Sequence, residues 1–247
     1  MVLLKQEDIV HKAWLLKLLA EIADDSRLAS ALYFKGGTCA AGLGYLDRFS
    51  IDLDFDLKRG ATKTGLRSEF KKVFKKLDFA VQSESNKALF FVLKYAAPQN
   101  QRNTLKISVS EEFVTNNDYK PAFIPEIDRL VNCQTLETMF ANKLVALVDR
   151  YKKHQKVAGR DIYDIHYFFS QGYKFKDEII KERTNLDTKS YFEKLIKFIE
   201  RNVTDKVLAE DLNTLLPSEK FKKIRKTLKS ETLIFLRTYV SQTKSIS

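Results

Sequence analysis

Residues Lys35 to Leu57, KGGTCAAGLGYLDRFSIDLDFDL, join a glycine turn and a hydroxyl to a run of alternating carboxylates. Read as a strand, Ile51-Asp52-Leu53-Asp54-Phe55-Asp56-Leu57 has period two. Ile51, Leu53, Phe55 and Leu57 share one face, and Asp52, Asp54 and Asp56 share the other. Same-face neighbours lie about 6.5–7 Å apart along a strand. At that spacing carboxylates can reach inward around one or two Mg²⁺ ions, which take oxygen ligands together with substrate phosphates. Three like charges on one strand face are costly unless cations offset them. Upstream, Gly36-Gly37-Thr38 offers backbone N–H groups and a hydroxyl to a closely approaching triphosphate. Each motif alone also fits an exposed acidic strand, or an ordinary glycine turn. The two together, in this order, point to nucleotide chemistry.

Outward from this stretch the chain reads as an α/β front and a helical back. Gln6 to Asp24 is an apolar-faced helix through Ile9, Ala13, Leu16, Leu19 and Ala20, with Trp14, Leu15 and Leu18 beside them. Leu32-Tyr33-Phe34 forms a short strand into the glycine turn, and Thr38 opens a helix ending near Gly42 or Gly44. Leu66 to Leu77 is a basic amphipathic helix with Phe70, Val73, Phe74 and Leu77 inward. Ala88–Lys94 and Thr104–Ser110 are paired strands across a Pro98-Gln99-Asn100 turn. Pro121 and Pro125 mark a break near residue 125. Helices are expected beyond it at 136–153, 160–170, 188–201, 209–216 and 218–241. The expected organisation is therefore an α/β domain over residues 1–125 and a helical domain over 126–247 that completes a cleft.

The residues KGGT followed by RFSIDLDFD resemble the nucleotidyltransferase-like AbiEii/AbiGii toxin family, which includes the MenT-type toxins. The family pattern is a Lys-Gly-Gly-Thr turn, then Arg-x-Ser-x-Asp-x-Asp, a downstream Lys and an Arg-Asp-x-x-Asp element. This chain carries Lys35, Gly36, Gly37, Thr38, Arg48, Ser50, Asp52 and Asp54 in order. ANKLVALVDR then supplies Lys143 and Arg150, and GRDIYDIHYF supplies Arg160, Asp161 and Asp164. The resemblance spans roughly residues 30 to 170. It implies an α+β fold, with a small mixed nucleotidyltransferase-like sheet and flanking helices followed by a mostly helical C-terminal part. It also implies transfer of NMP from an NTP with release of pyrophosphate. Asp52 and Asp54 would hold Mg²⁺ or Mn²⁺, and Lys35, Gly36, Gly37, Thr38, Arg48 and Ser50 would bind the nucleotide. Lys143 would neutralise the triphosphate, and Asp161 would orient or deprotonate the acceptor. An RNA acceptor, the tRNA 3′ end above all, and a cognate antitoxin complete the picture.

The strand Leu105-Lys106-Ile107-Ser108-Val109-Ser110 departs from that family, whose relatives often carry an acid where Ser108 stands. A serine can neither ligate Mg²⁺ with a full charge nor act as a base near pH 7. Asp56, Glu111 and Glu112 remain as substitutes that spacing alone does not rank. Ser108 keeps a non-catalytic nucleotide- or RNA-binding relative open, and the same chemistry also suits a protein hydroxyl as acceptor. A metal-dependent nuclease would leave the glycine turn unexplained.

Composition bounds the partners. A net charge of +11 and a basic run at Lys220, Lys222, Lys223, Arg225 and Lys226 suit a polyanion, and equally a solvated helix face. Cys39 and Cys133 are too few for a disulfide framework, and His11, His154 and His166 show no ligand spacing, so zinc is not expected. No apolar run approaches 18 residues and no leader pattern opens the chain, so a cytoplasmic protein without a membrane segment is expected.

Overall fold

A computed structural model describes residues 6–99 and 101–242. The chain forms two compact units. Among the described residues, one comprises 6–99, 101–113 and 118–135, the other 114–117 and 136–242.

The first unit begins with helices α1 (Gln6–Asp24) and α2 (Ser26–Ala31). Strand β1 (Leu32–Lys35), α3 (Gly36–Gly42), β2 (Asp52–Leu57) and α4 (Lys63–Lys76) follow. Five more strands complete it: β3 (Ala80–Glu84), β4 (Leu89–Lys94), β5 (Thr104–Ser110), β6 (Tyr119–Ile124) and β7 (Arg129–Gln134). They make one mixed sheet in the order β3-β4-β5-β2-β1-β7-β6. β2 lies parallel to β5 and antiparallel to β1, and β7 runs parallel to β1. The expected Asn100 turn position lies outside the described residues. Its neighbours do turn, through the Gln101 amide donating to the Pro98 carbonyl at 3.2 Å.

Period-two alternation builds the core. Leu53, Phe55, Leu89, Phe91, Leu93, Leu105 and Ile107 are all buried on one sheet face. Phe70 and Phe74 of α4 pack on Phe91 with ring centroids 5.5 and 5.1 Å apart. Full burial of each such ring contributes roughly 1.5–3 kcal/mol. The face of α1 that turns inward is not the purely apolar one expected. Asp8, His11, Leu15, Leu18, Leu19 and Ile22 are buried, at helical spacing, while Ile9 and Ala13 are exposed. Cys39 on α3 and Cys133 on β7 are buried free thiols and neighbours; burial, then Cys133, pushes the Cys39 thiol well up.

The division between units falls at residues 135/136, ten residues beyond the expected boundary. The two prolines read as a break flank a hairpin. β6 is the last strand of the sheet, a place where a proline is tolerated, and Pro125 enters the turn to β7.

The second unit is helical: α5 (Leu136–His154), α6 (Gly159–Ser170), α7 (Asp177–Thr184), α8 (Thr188–Asn202), α9 (Asp205–Leu212), α10 (Ser218–Ile224) and α11 (Leu228–Gln242). Phe140, Leu144, Leu147, Ile162, Ile165, Phe168, Phe192 and Leu195 form its core. A bond of 2.6 Å between His166 Nε2 and Glu231 Oε2 ties α6 to α11. The single helix expected over 218–241 is two helices, because the chain breaks at residues 225–227 to bury Phe221 and Leu228 separately. The helix expected over 209–216 begins earlier, at Asp205, where the Thr204 hydroxyl accepts from the Val207 amide. Among the described residues, no helix is long and apolar enough to cross a membrane.

Candidate active site

The glycine turn and the acidic strand meet in the first unit. β1 and β2 pair so that Lys35 stands opposite Asp54. At Gly36 the backbone enters α3 with φ +79°, and a Cβ there would lie 2.8 Å from Asp54 Oδ2. A Cβ at Gly37 would lie 2.8 Å from Arg48 Nη2 and 2.9 Å from Ser50 Oγ. The turn is therefore glycine for two reasons, a left-handed φ at the first position and contact with functional side chains at both. Six of the predicted residues (Gly36, Gly37, Arg48, Ser50, Asp54 and Asp52 two places before it) form one cluster.

Thr38 and Lys35 are engaged differently from expectation. The Thr38 hydroxyl donates to the Asp52 carbonyl at 2.5 Å, fastening α3 to the start of β2. The Lys35 ammonium pairs with Asp56. Asp56 is buried, and its other oxygen accepts from Tyr119 Oη at 2.9 Å and Gln134 Nε2 at 2.7 Å. Three donors inside the protein and its burial give Asp56 a structural engagement. Glu111 pairs with Lys63 at 3.0 Å on an exposed surface, and Glu112 is exposed. Ser108 is the residue on β5 directly beside Asp54. The strand next to the acidic one thus presents a hydroxyl where a carboxylate was looked for.

Among the described residues, no group of three or more His, Cys, Asp or Glu side chains is placed to hold a metal ion. Asp52 and Asp54 are half-buried neighbours on one strand face. Two carboxylates are a sufficient protein share for Mg²⁺, which keeps waters and takes its other oxygens from substrate phosphates. The missing Cβ at Gly36 lets the backbone of the turn lie against the Asp54 carboxylate. The residues present fit the group.

In the second unit, α5 and α6 build a buried charge cluster. Lys143 Nζ lies 3.0 Å from Asp161 Oδ1 and 2.8 Å from Asp164 Oδ2, while Arg150 Nε donates to Asp161 Oδ2 at 3.0 Å. Both aspartates are fully buried. Burial alone would raise the Asp161 pKa, but Lys143 and Arg150 outweigh it and hold the carboxyl well below the usual range. An acid so buried, with both oxygens paired, orients Lys143 and Arg150. It is not exposed for contact with an acceptor, which is the role expected of it.

The profile of the nucleotidyl transferase AbiEii toxin family, of type IV toxin–antitoxin systems, matches residues 17–230. The chain belongs to this family. As an AbiEii-family protein it is a nucleotidyltransferase, and the family assignment brings a nucleotide substrate and a cognate antitoxin. JHP933 of Helicobacter pylori has a similar fold (TM-score 0.58) at 17% identity, covering 99% of this chain and 98% of its own. MenT4, a nucleotidyltransferase toxin from Mycobacterium tuberculosis, superposes with TM-score 0.54 at 16% identity, over 94% of this chain and 84% of that one. A nucleotidyltransferase-like protein of Paracoccidioides brasiliensis does so with TM-score 0.51 at 17% identity, over 88% and 98%. No curated protein sequence matches the chain. At these identities the likeness is one of fold. The AbiEii-family fold here places His11, Tyr119 and Gln134 beside the motif residues, and sequence reasoning missed all three because none belongs to a spaced pattern.

Proposed function

We propose that this protein transfers a nucleoside monophosphate from an NTP to the 3′ end of an RNA, tRNA above all, in a reaction supported by Mg²⁺ or Mn²⁺. The observation that carries this reading is the contact of the Gly36-Gly37 turn with Asp54, Arg48 and Ser50. Asp52 and Asp54 would hold the ion, which would supply charge withdrawal from the phosphate oxygens. The Gly36 and Gly37 amides receive the triphosphate, and buried Arg48, with Ser50, lies against Gly37 and fixes the loop while lending its positive charge. An acceptor hydroxyl attacks the α-phosphorus in line. The new P–O bond forms as the α–β bridge breaks, pyrophosphate leaves, and the hydroxyl proton passes to water. Lys143 is held by Asp161 and Asp164 within the helical unit, where its charge is matched by theirs. Thr38 and Lys35 act from behind, on the backbone of β2 and on Asp56. The excess of basic residues, with Lys222, Lys223, Arg225 and Lys226 exposed, favours RNA as acceptor over a protein hydroxyl. Such substrates place the reaction in the cytoplasm.

The test incubates the purified protein and Mg²⁺ with each labelled NTP, with and without total tRNA. Label on tRNA is expected with the parent, and Asp52→Ala or Asp54→Ala should lower it by at least a thousandfold while leaving unfolding transitions unchanged. Full activity in both variants would show that the ion is held elsewhere. Label on the protein alone would replace RNA by a protein acceptor.

A further inference from the structure

Side chains from three places take up carbonyls of the segment that enters β2. Arg48 Nη1 donates to the Phe49 carbonyl at 2.9 Å, Thr38 Oγ1 to that of Asp52 at 2.5 Å, and His11 Nε2 to that of Ile51 at 2.9 Å. Arg48 and Thr38 belong to the motif, whereas His11 comes from α1, 40 residues away. Its ring is wholly buried and meets Phe49 edge-on, centroids 5.9 Å apart at 87°. A carbonyl has no proton to give, so Nε2 carries the hydrogen. The Tyr95 hydroxyl, 2.6 Å from Nδ1 and 2.8 Å from the Arg102 carbonyl, has one proton to share between these two acceptors.

This bond falls just before β2 begins. β1 pairs with β2 as far as Lys35 opposite Asp54, and on the other side β5 carries the ladder to Lys106 opposite Asp52. Ile51 precedes both ladders. A slip of one residue would turn Leu53 to the polar face and both carboxylates to the core. We propose that His11 is a positioning residue of the transferase site, fixing through the Ile51 carbonyl the entry of the strand that bears Asp52 and Asp54. This rests on the assignment of those two carboxylates to the metal.

The test compares the full-length parent with His11→Leu, which removes both ring bonds, and His11→Gln, whose amide can still donate to Ile51. Transfer kinetics and amide hydrogen exchange over residues 49–54 are measured together. His11→Leu should remain folded, exchange those amides at least tenfold faster and lose at least tenfold in kcat. Its KM for NTP should stay within twofold, and its half-saturating Mg²⁺ concentration should rise severalfold. His11→Gln should return to within about threefold of the parent in kcat. Unchanged exchange in folded His11→Leu, or no recovery in His11→Gln, would overturn the assignment. Should His11→Leu fail to fold, Tyr95→Phe replaces it, with a threefold loss of kcat and faster exchange expected, and parental values in both overturning it. A parent no more active than Asp52→Ala would sink the transferase reading instead, while the exchange data would still decide whether His11 holds the strand.

Discussion

His11 is neutral in the folded chain. Burial pushes its pKa down from 6.5 to about 4, the bond to Ile51 opposes that shift, and the Arg102 charge adds to it. The folded protein thus takes up this proton less readily than the unfolded chain does. Stability from this group is complete above pH 6.5 and falls as pH drops toward 4, by about 3 kcal/mol at roughly 1.4 kcal/mol per pH unit. Urea unfolding at pH 7 and pH 4.5 should show a larger loss for the parent than for His11→Gln, which lacks the titrating ring. Equal losses would assign the pH dependence to another group. Asp161 does not interfere in that window, because its depressed pKa makes its contribution disappear only below the ordinary carboxylate range. The motif residues were legible at this scale because their chemistry is written in type and spacing. His11 was not, since a single histidine on an apolar helix reads as core and its partner carbonyl is distant in sequence. Thr38 and Lys35 were found, but the direction of their hydrogen bonds depends on which backbone or carboxylate the fold brings to them.

The pair α5–α6 is an element held by charge as much as by its apolar stripe. Asp161→Asn would leave Arg150 facing a neutral amide, while Lys143 keeps Asp164. Losing hydrogen bonds to a buried charged group costs about 1.5–3 kcal/mol, so the variant should unfold at a lower urea concentration at pH 7. A variant as stable as the parent would show that the ion pairs only offset their own desolvation. Long periodic elements such as α4 and α5 were legible, because a repeated apolar face identifies them. The hairpin β6–β7 was not. Its prolines carry a turn signal, and only a place at the end of the sheet makes Pro121 tolerable within a strand. β3 was missed as well: all five of its residues are exposed, so no alternation marks it.

Across the whole chain the basic excess is the property with a measurable consequence. The net charge is +11, and Lys222, Lys223, Arg225 and Lys226 stand exposed on α10 and the turn after it. Lys229 is different, since its ammonium donates to the Glu200 and Val203 carbonyls at the end of α8. Replacing the four exposed cations by Ala should weaken tRNA binding uniformly. It should also reduce the slope of log K against log salt by up to about 3, at roughly 0.7 per phosphate contact on single-stranded RNA. An unchanged slope would place the RNA contacts on other residues. Lys229→Ala should instead lower stability with little effect on that slope.

By itself the sequence determined the family, the α/β front and helical back, and which carboxylates and glycines form the candidate site. These depend on periodicity and on residue types that neighbours along the chain supply. Tertiary structure alone decided which acids are available. Asp56 is taken up by Lys35, Tyr119 and Gln134, and Asp161 is enclosed by Lys143 and Arg150. It also decided that Ser108 stands beside Asp54 with no acid in its place. Whether a carboxylate faces a ligand or a partner depends on what the fold packs against it, and in every one of these cases the partner lies on another element.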